Sequence, residues 1–395
     1  VALIMPARLA SPEARTGLYY LTMFMPAGVA SLLLPVWLDS KGISEEQIGI
    51  INAAPIFAMI VLNLVVGRIA DKAKDWRSVI VAGSILAAVV PLGLGFVDEF
   101  WGILLFWTLA TIPFLALEPV IDAAAMRMTR RRGSDFALVR VWGTVGYIIA
   151  TALAGLIFGW VGIAIFVPLF IVASLMRGGA SLSLPFFRAP DNSPDRSPVL
   201  DADAATTMRQ VFRPWFLLPL IGTALLQASH FVLMAFGALL WLRIGIPEEA
   251  IGLLWGIAPL GEVIVMLFFA RIARRFSARH LLLAACLLAV VRWSGVAVAS
   301  EVWQLAILQV MHMFTFGLAY LGVVNFIANW TGESIAAQAQ SFFTVLRQVS
   351  NVIALLVFGP LVAIFGIKSF YAAAALAAVG AAMIFASLII MRTKR

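Results

Sequence analysis

The chain has 395 residues, 63% hydrophobic and only 12% charged, with a formal net charge of +8 and a mean hydropathy of +1.01. Soluble domains run roughly 45–50% apolar and about 25% charged, so an ordinary water-soluble enzyme and a disordered chain are both excluded. The single cysteine, Cys286, lies in an apolar run, which excludes a disulfide framework and a cysteine metal site.

A bilayer core of about 30 Å calls for roughly 20 apolar residues per helix. Apolar segments fall at about 16–38, 47–69, 78–97, 100–126, 136–158 and 161–186, then at about 212–240, 250–270, 281–299, 302–328, 339–364 and 367–391. Runs such as Ile80–Leu94 and Phe370–Ile390 are apolar on every face, unlike the alternating strands of a membrane barrel. Leu3 to Pro26 lacks the pattern of a cleavable signal, so the first segment is expected to be retained as a span. The predicted fold is an all-α membrane protein of twelve transmembrane helices in two six-helix pseudo-repeats.

A polar stretch rich in proline, aspartate and serine divides the halves and reads as a linker. The expected organisation is an N-terminal bundle over 1–186, a cytoplasmic linker over 187–210 and a C-terminal bundle over 211–395. The halves repeat: GISEEQIGI at Gly42–Ile50 matches GIPEEAIGL at Gly245–Leu253, an offset of 203 residues. The same offset relates Arg68-Ile69-Ala70 to Arg271-Ile272-Ala273. Parallel repeats of this kind create a central cleft that opens alternately to either side.

Charge placement gives the orientation. With both termini cytoplasmic, 22 of the 28 Lys and Arg residues fall inside, and only Lys41, Arg243 and Lys368 fall outside. The outer loops carry Asp39, Glu45, Glu46, Asp98, Glu99, Glu248, Glu249 and Glu301 instead. The surplus of positive charge is therefore an orientation signal rather than a sign of nucleic-acid binding. A multi-pass protein of the inner (cytoplasmic) membrane is expected, in contact with lipid and acting as a monomer.

Six ionisable side chains remain in apolar segments: Glu118, Asp122, Arg140, Glu262, Arg292 and Arg347, joined by His230 and His312. Each intramembrane charge costs roughly 2.5–3.5 kcal/mol on insertion, so such groups normally line a polar interior. In a helical hairpin, residues equally far from the turn lie at equal depth. That rule pairs Asp122 with Arg140, Glu262 with Arg292, and Arg292 with His312. Asp122, Arg140 and Tyr147, with Glu118 one turn away, form an expected N-half site. Glu262, Arg292 and His312 form a C-half site, where a carboxylate beside a cation can exchange a proton. Arg347 has no carboxylate opposite it and is expected to attract solute, snorkel or cap a helix. Gln227, Gln348, Asn351 and Asn325 offer further hydrogen-bonding groups. Structural ion pairs between helices are the competing reading for these charges.

Backbone signals are weaker. Gly67, Arg68, Asp71 and Lys72, between the second and third segments, suit a conformational latch. Gly143, Gly146 and Gly155 give the fifth segment a small face for close helix crossing.

These residues resemble the major facilitator superfamily over essentially the whole chain. GRIADKAKDWR at 67–77 is similar to its signature loop, with Lys74 in place of the second glycine. PVID at 119–122 and RVWGTVGY at 140–147 resemble the lactose/proton symporter branch and its phenylpropionate- and nucleoside-permease relatives. The resemblance makes Asp122 and Arg140 solute-binding, with Tyr147 where the branch has a stacking tryptophan. GE at 261–262, VRW at 291–293 and MHMF at 311–314 are similar to the segments carrying its coupling acid, arginine and histidine. Arg347 stands where a lysine occurs, and Thr315 where the lactose symporter has a proton-carrying glutamate.

The expected activity is secondary active transport, proton-coupled uptake of a small organic solute such as an aromatic acid, sugar or nucleoside. The solute-binding set is Asp122, Arg140, Tyr147, Glu262, His312 and Arg347; the proton-coupling set is Glu262, Arg292, Asp122 and Glu118. No cofactor, metal or enzymatic activity is expected. Proton-driven export, and a receptor role without transport, would use the same residues.

Overall fold

Inside a bilayer every backbone N–H and C=O must find a partner within the protein, and a chain this apolar meets the demand with helices. The computed structural model describes residues 11–187, 211–330 and 333–392. For 63–72, 266–267, 270, 328, 333–338 and 392 it describes the backbone alone.

The elements run α1 Pro12–Ser40, α2 Glu45–Lys72, α3 Trp76–Val89, α4 Phe100–Arg132, α5 Phe136–Val161 and α6 Phe166–Ser181. After the linker come α7 Pro214–Arg243, α8 Glu248–Ala273, α9 Ala278–Val296, α10 Val302–Val310, α11 Leu318–Trp330, α12 Glu333–Phe365 and α13 Phe370–Arg392. Short 3₁₀ turns extend α3 over Val90–Phe96, precede α6 at Ile163–Ile165 and precede α13 at Gly366–Ser369. Among the described residues, ten stretches are long and apolar enough to cross a membrane.

Three departures from the expected segments have physical causes or consequences. The third segment is α-helical only to Val89, since Pro91 has no N–H to donate and the chain tightens into a 3₁₀ turn. The second helix runs on to Lys72, so the latch motif Gly67–Lys72 is helical rather than a loop. The side chains of Gly67, Arg68, Asp71 and Lys72 lie outside the described residues. The tenth segment is broken by a π-helical turn at Met313–Gly317, between α10 and α11.

The chain divides into two compact units, Val1–Ile43 with Ala54–Pro198, and Ser44–Ala53 with Val199–Arg395. The opening turns of α2 therefore group with the second unit, while the expected linker beyond Phe187 lies outside the described residues. In unit 1, α1 packs on α5 and α6, and α3 on α4 and α6. A core of Tyr20, Ile80, Ile121, Ala124 and Met128 fills the space between α1, α3 and α4. In unit 2, α7 packs on α12 and α13, α9 on α13 and α11, and α8 on α10 and the π turn.

Helix ends follow local chemistry. Ser11, Asp75 and Asp135 cap α1, α3 and α5 by accepting from the backbone N–H of Ala14, Arg77 and Ala137. α1 and α7 end in the same way, at the two copies of the repeated segment. Gly42 and Gly245 take positive φ (74° and 89°). Their N–H groups donate to Asp39 O and Leu242 O, while Ile43 and Ile246 donate to Leu38 O and Trp241 O. This is the six-to-one and five-to-two pattern of a Schellman end, which a side chain at the glycine would strain.

Helices α1 and α5 cross in close contact. A Cβ built on Gly146 would lie 1.9 Å from the carbonyl oxygen of Leu21, so the two backbones touch where only glycine fits. Gly146→Val is expected to destabilise unit 1 by about 1–3 kcal/mol through overpacking. Thermal unfolding of the purified protein reads this directly, and an unchanged midpoint would contradict the crossing.

Candidate functional site

Among the described residues, each unit holds a cluster of ionisable side chains within its helices. In unit 1 the hairpin α4–α5 brings Arg140 onto two carboxylates. Its Nε lies 3.2 Å from Asp122 Oδ1 and its Nη2 3.1 Å from Glu118 Oε1. Glu118 and Asp122 are four residues apart, so both reach the same side of α4. The first helix completes the group. Tyr20 donates its hydroxyl to Asp122 Oδ1 at 2.6 Å. The guanidinium of Arg140 also lies over the rings of Phe24 (4.5 Å) and Tyr20 (5.2 Å), a cation–π arrangement. Two acids against one arginine leave a formal charge of −1. The three side chains keep 27–36% exposure, so solvent or a solute can reach them. Tyr147 pairs its hydroxyl with Ser31 Oγ of α1 at 2.7 Å.

The cluster of unit 2 is drier. Arg292 is fully buried. Its Nε donates to Leu308 O (2.8 Å), Nη2 to Gln309 Oε1 (2.7 Å), and Nη1 to both His312 Nδ1 (3.2 Å) and Thr315 Oγ1 (3.2 Å). Gln309 in turn donates to Leu254 O at 3.1 Å. The partners dictate the proton positions. A guanidinium can only donate, so His312 Nδ1 accepts and its proton sits on Nε2. That Nε2–H donates to Glu262 Oε1 at 2.8 Å. His230 donates from Nδ1 to Leu226 O (2.9 Å), which leaves its Nε2 to accept from the Thr315 hydroxyl (3.0 Å).

The expected direct contact of Glu262 with Arg292 is replaced by a bridge. Among the described residues, the two share no ion pair within 4 Å, and His312 stands between them. Equal depth in a hairpin was satisfied, but helix rotation turned the carboxylate to the imidazole. The π turn supplies this geometry: its wider circuit begins just after His312 and contains Thr315, so both face Arg292. Gly261 allows the approach of α8, since a Cβ there would lie 2.9 Å from Met313 Cβ.

Other sequence candidates are placed as follows. Arg347 is half-buried on α12 and has no hydrogen-bond or ion-pair partner among the described residues. Gln227 and Asn351 are buried, and the Gln227 amide and Asn351 Oδ1 have no hydrogen-bond partner among the described residues. Asn325 accepts from Asn329 at 3.1 Å. Gly143, Gly146 and Gly155 are all buried on α5.

Four residues escaped sequence reasoning. Arg177, taken with the cytoplasmic charges, is a buried residue of α6 with 3% exposure, donating to Ala87 O at 2.8 Å. Tyr20 and Gln309 are polar contributors from helices that carry no intramembrane charge of their own. Only five tyrosines occur in the chain and two adjoin at Tyr19-Tyr20, which is the signal that marks α1. Phe24 carries no such signal. Among the described residues, no group of three or more His, Cys, Asp or Glu is placed to hold a metal ion.

With this geometry in place, comparison with known proteins identifies the chain. Residues 15–349 match the model of the MFS_1 like family. The protein belongs to that family. It is accordingly a multi-pass membrane transport protein and not an enzyme, in keeping with the resemblance read from its motifs. It is 28% identical over 324 residues to the probable 3-phenylpropionic acid transporter of Escherichia coli (strain K12), covering 80% of this chain and 82% of that one. It is 24% identical to the maltose permease of Geobacillus stearothermophilus over 83% of this chain and 82% of the relative. Among solved structures, the nucleoside transporter NupG superposes with a TM-score of 0.82 at 16% identity, covering 96% of this chain and 99% of that one. At that identity the likeness is one of fold.

The buried guanidinium gives a direct prediction. Gln309→Leu removes one charge-assisted hydrogen bond from Arg292 and is expected to lower stability by about 1.5–3 kcal/mol. Calorimetry of the detergent-solubilised protein should show the loss; no loss would mean that Gln309 does not hold the arginine.

Proposed function

We propose that this transporter takes up a small organic solute by alternating access, driven by the proton gradient. The solute is of the aromatic-acid, sugar or nucleoside class, the kinds of compound named for its relatives. The observation that carries this reading is the Glu262–His312–Arg292 bridge: a carboxylate with 27% side-chain exposure, joined through one imidazole to a desolvated cation.

Twelve spans are part of this reading, and the helices are compatible with them. The apolar stretch 339–391 contains both α12 and α13, and α8, with 26 residues, is long enough to cross as well. Twelve crossings return the C-terminus to the side of the N-terminus, and the clustering of basic residues makes that side cytoplasmic. The bundles 1–186 and 211–395, joined by the linker 187–210, then move as the two halves of the transport cycle. Gly67, Arg68, Asp71 and Lys72 act as the latch on the cytoplasmic side. A monomer without a cofactor, in the inner membrane, is sufficient for this cycle.

The steps use this chain's own groups. The solute-binding residues of this reading are Asp122, Arg140 and Tyr147 in unit 1 and Glu262, His312 and Arg347 in unit 2. A proton from the outer solution adds to a Glu262 carboxylate oxygen and turns the charge-assisted bond from His312 Nε2–H into a weaker neutral one. A solute oxygen then competes better for that N–H, so protonation and solute binding favour one another. When the site opens to the cytoplasm the proton leaves Glu262, the carboxylate reclaims His312, and solute is released. Glu118 and Asp122 share Arg140, so neutralising one leaves the other still paired; they are the second place where a proton can be held.

Glu262→Gln tests the reading in proteoliposomes. Uphill uptake driven by an imposed proton gradient is expected to vanish, while solute exchange down its own gradient persists. Uphill uptake that survives the substitution would remove Glu262 from coupling. Wild-type flux that runs outward against the solute gradient would make the protein an exporter. For unit 1, Asp122→Asn is expected to weaken solute binding by at least the factor of about 10 that one charged hydrogen bond of roughly 1.4 kcal/mol represents. Ligand-induced thermal stabilisation across sugars, nucleosides and aromatic carboxylates measures it.

A further inference from the structure

The 203-residue offset that relates the two copies of the repeated segment also takes Trp76 to Arg279 and Arg127 to Trp330. Both pairs form arginine–tryptophan contacts with the roles exchanged. Arg127 Cζ lies 4.8 Å from the Trp76 ring in unit 1, and Arg279 Cζ lies 4.9 Å from the Trp330 ring in unit 2. The surroundings differ in one respect. In unit 1 a carboxylate sits beside the pair: Asp75 accepts from the N–H of Arg77 (2.8 Å) at the start of α3 and from the N–H of Phe187 (3.0 Å). The offset places Ala278 at the corresponding position of unit 2, and no acid lies between Ala273 and Val296.

Unit 2 has a cavity of about 130 Å³ there, lined by Phe276, Ser277, Arg279, Asn325, Asn329 and Trp330 among others. That is close to the roughly 150 Å³ that admits a benzene ring. Arg279 is 7% exposed and boxed by Trp330, Phe326 (5.1 Å) and Trp215 (5.6 Å). Its Nη2 makes one long bond to Trp215 O at 3.4 Å, and its buried Nε has no hydrogen-bond partner. The N-cap residue of α9, Ser277, does not cap it; its hydroxyl pairs with His280 Nδ1 at 2.7 Å. The Ser277 side chain thus leaves the amides of the first turn uncapped, and such a helix start favours an anion. Arg271, Arg274 and Arg275 stand exposed on the adjoining turn, and Phe276 is 55% exposed beside them.

We infer that this cavity binds the phosphate of an anionic phospholipid headgroup, which takes the place that Asp75 fills in unit 1. Arg279 and the α9 amides hold the phosphate oxygens, Asn325 and Asn329 reach the rest of the headgroup, and Phe276 meets the acyl region. The exposed arginines favour a negatively charged lipid over a zwitterionic one. The same donors would suit a free phosphate ion, which lacks the acyl chains that Phe276 and the surrounding bilayer would engage. The site stands apart from the solute and proton residues, so it holds whether or not the proposed coupling does.

The test is thermal unfolding of the purified full-length protein in neutral detergent, with added phosphatidylglycerol, phosphatidylcholine or inorganic phosphate. Phosphatidylglycerol should raise the midpoint by several degrees more than phosphatidylcholine or phosphate at equal concentration. Arg279→Gln should abolish the difference. Asn329→Asp, at an exposed rim position, should abolish it too, while Arg130→Gln on unit 1 should leave it intact. An equal response to phosphatidylglycerol and phosphatidylcholine, or a full response in Asn329→Asp, would overturn the site. A response to phosphate alone that matches the lipid would overturn the lipid as its ligand.

Discussion

A guanidinium with no access to water constrains unit 2 more than any other group. Bringing Arg292 into an apolar interior is tolerable only when its donors are matched and a counter-charge lies within reach. The surrounding chain meets both conditions. Leu308, Gln309, His312 and Thr315 turn four acceptors toward it, and Glu262 supplies the charge through the imidazole. The π turn, the glycine at 261 and the buried amide of Gln309 all make sense as means to that end. Unit 1 solves the same problem at lower stringency. Arg140 retains contact with solvent, touches two carboxylates directly and rests on two aromatic rings. One cluster stays partly exposed, and the other closes around a cation with no exposure at all.

Much of this was legible in the residues. Composition fixed the lipid environment, and the helices follow from runs apolar on every face. Equal depth across a hairpin brought Arg140 to Asp122 and Arg292 to His312, because two antiparallel helices sharing a short turn cannot slide far past one another. Depth says nothing about rotation. Glu262 was therefore assigned to Arg292, whereas it faces His312. Nor does depth reach helices outside the hairpin, and Tyr20 from α1 went unassigned to Asp122. Arg177 was misplaced for a related reason: it lies near a segment end, where a long basic side chain usually reaches water, yet here it is held by Ala87 O inside the helix packing. The π turn had no signal in the sequence at all, since Met313–Gly317 is as apolar as its neighbours.

The comparison of the two units is informative where they differ. Helices α1 and α7 end on the same glycine turn, with the same pair of backbone bonds, at the two copies of the repeated segment. The arginine–tryptophan contact survives in both units with its partners exchanged. What did not survive in the second copy is acidity: the first carries Asp71 and Asp75 where the second has Arg274 and Ala278. Loss of those carboxylates leaves Arg271, Arg274, Arg275 and Arg279 of unit 2 with no acid among them, whereas Asp71 and Asp75 stand among the basic residues of unit 1. The two copies have kept a scaffold and divided its charge.

The π turn at Met313–Gly317 has a mechanical consequence for the rest of its helix. A π turn carries one residue more than the α-helical path it replaces, and each residue of a helix advances its face by about 100°. Every side chain of α11 is thereby set about a quarter-turn from where an unbroken helix would hold it. Asn325, Asn329 and Trp330 owe their position at the Arg279 cavity to that phase, as His312 and Thr315 owe theirs to the turn itself. A helix that reverted to α geometry at this point would rotate one end of unit 2 against the other. The buried arginine and the basic pocket are, in that sense, set by a single extra residue.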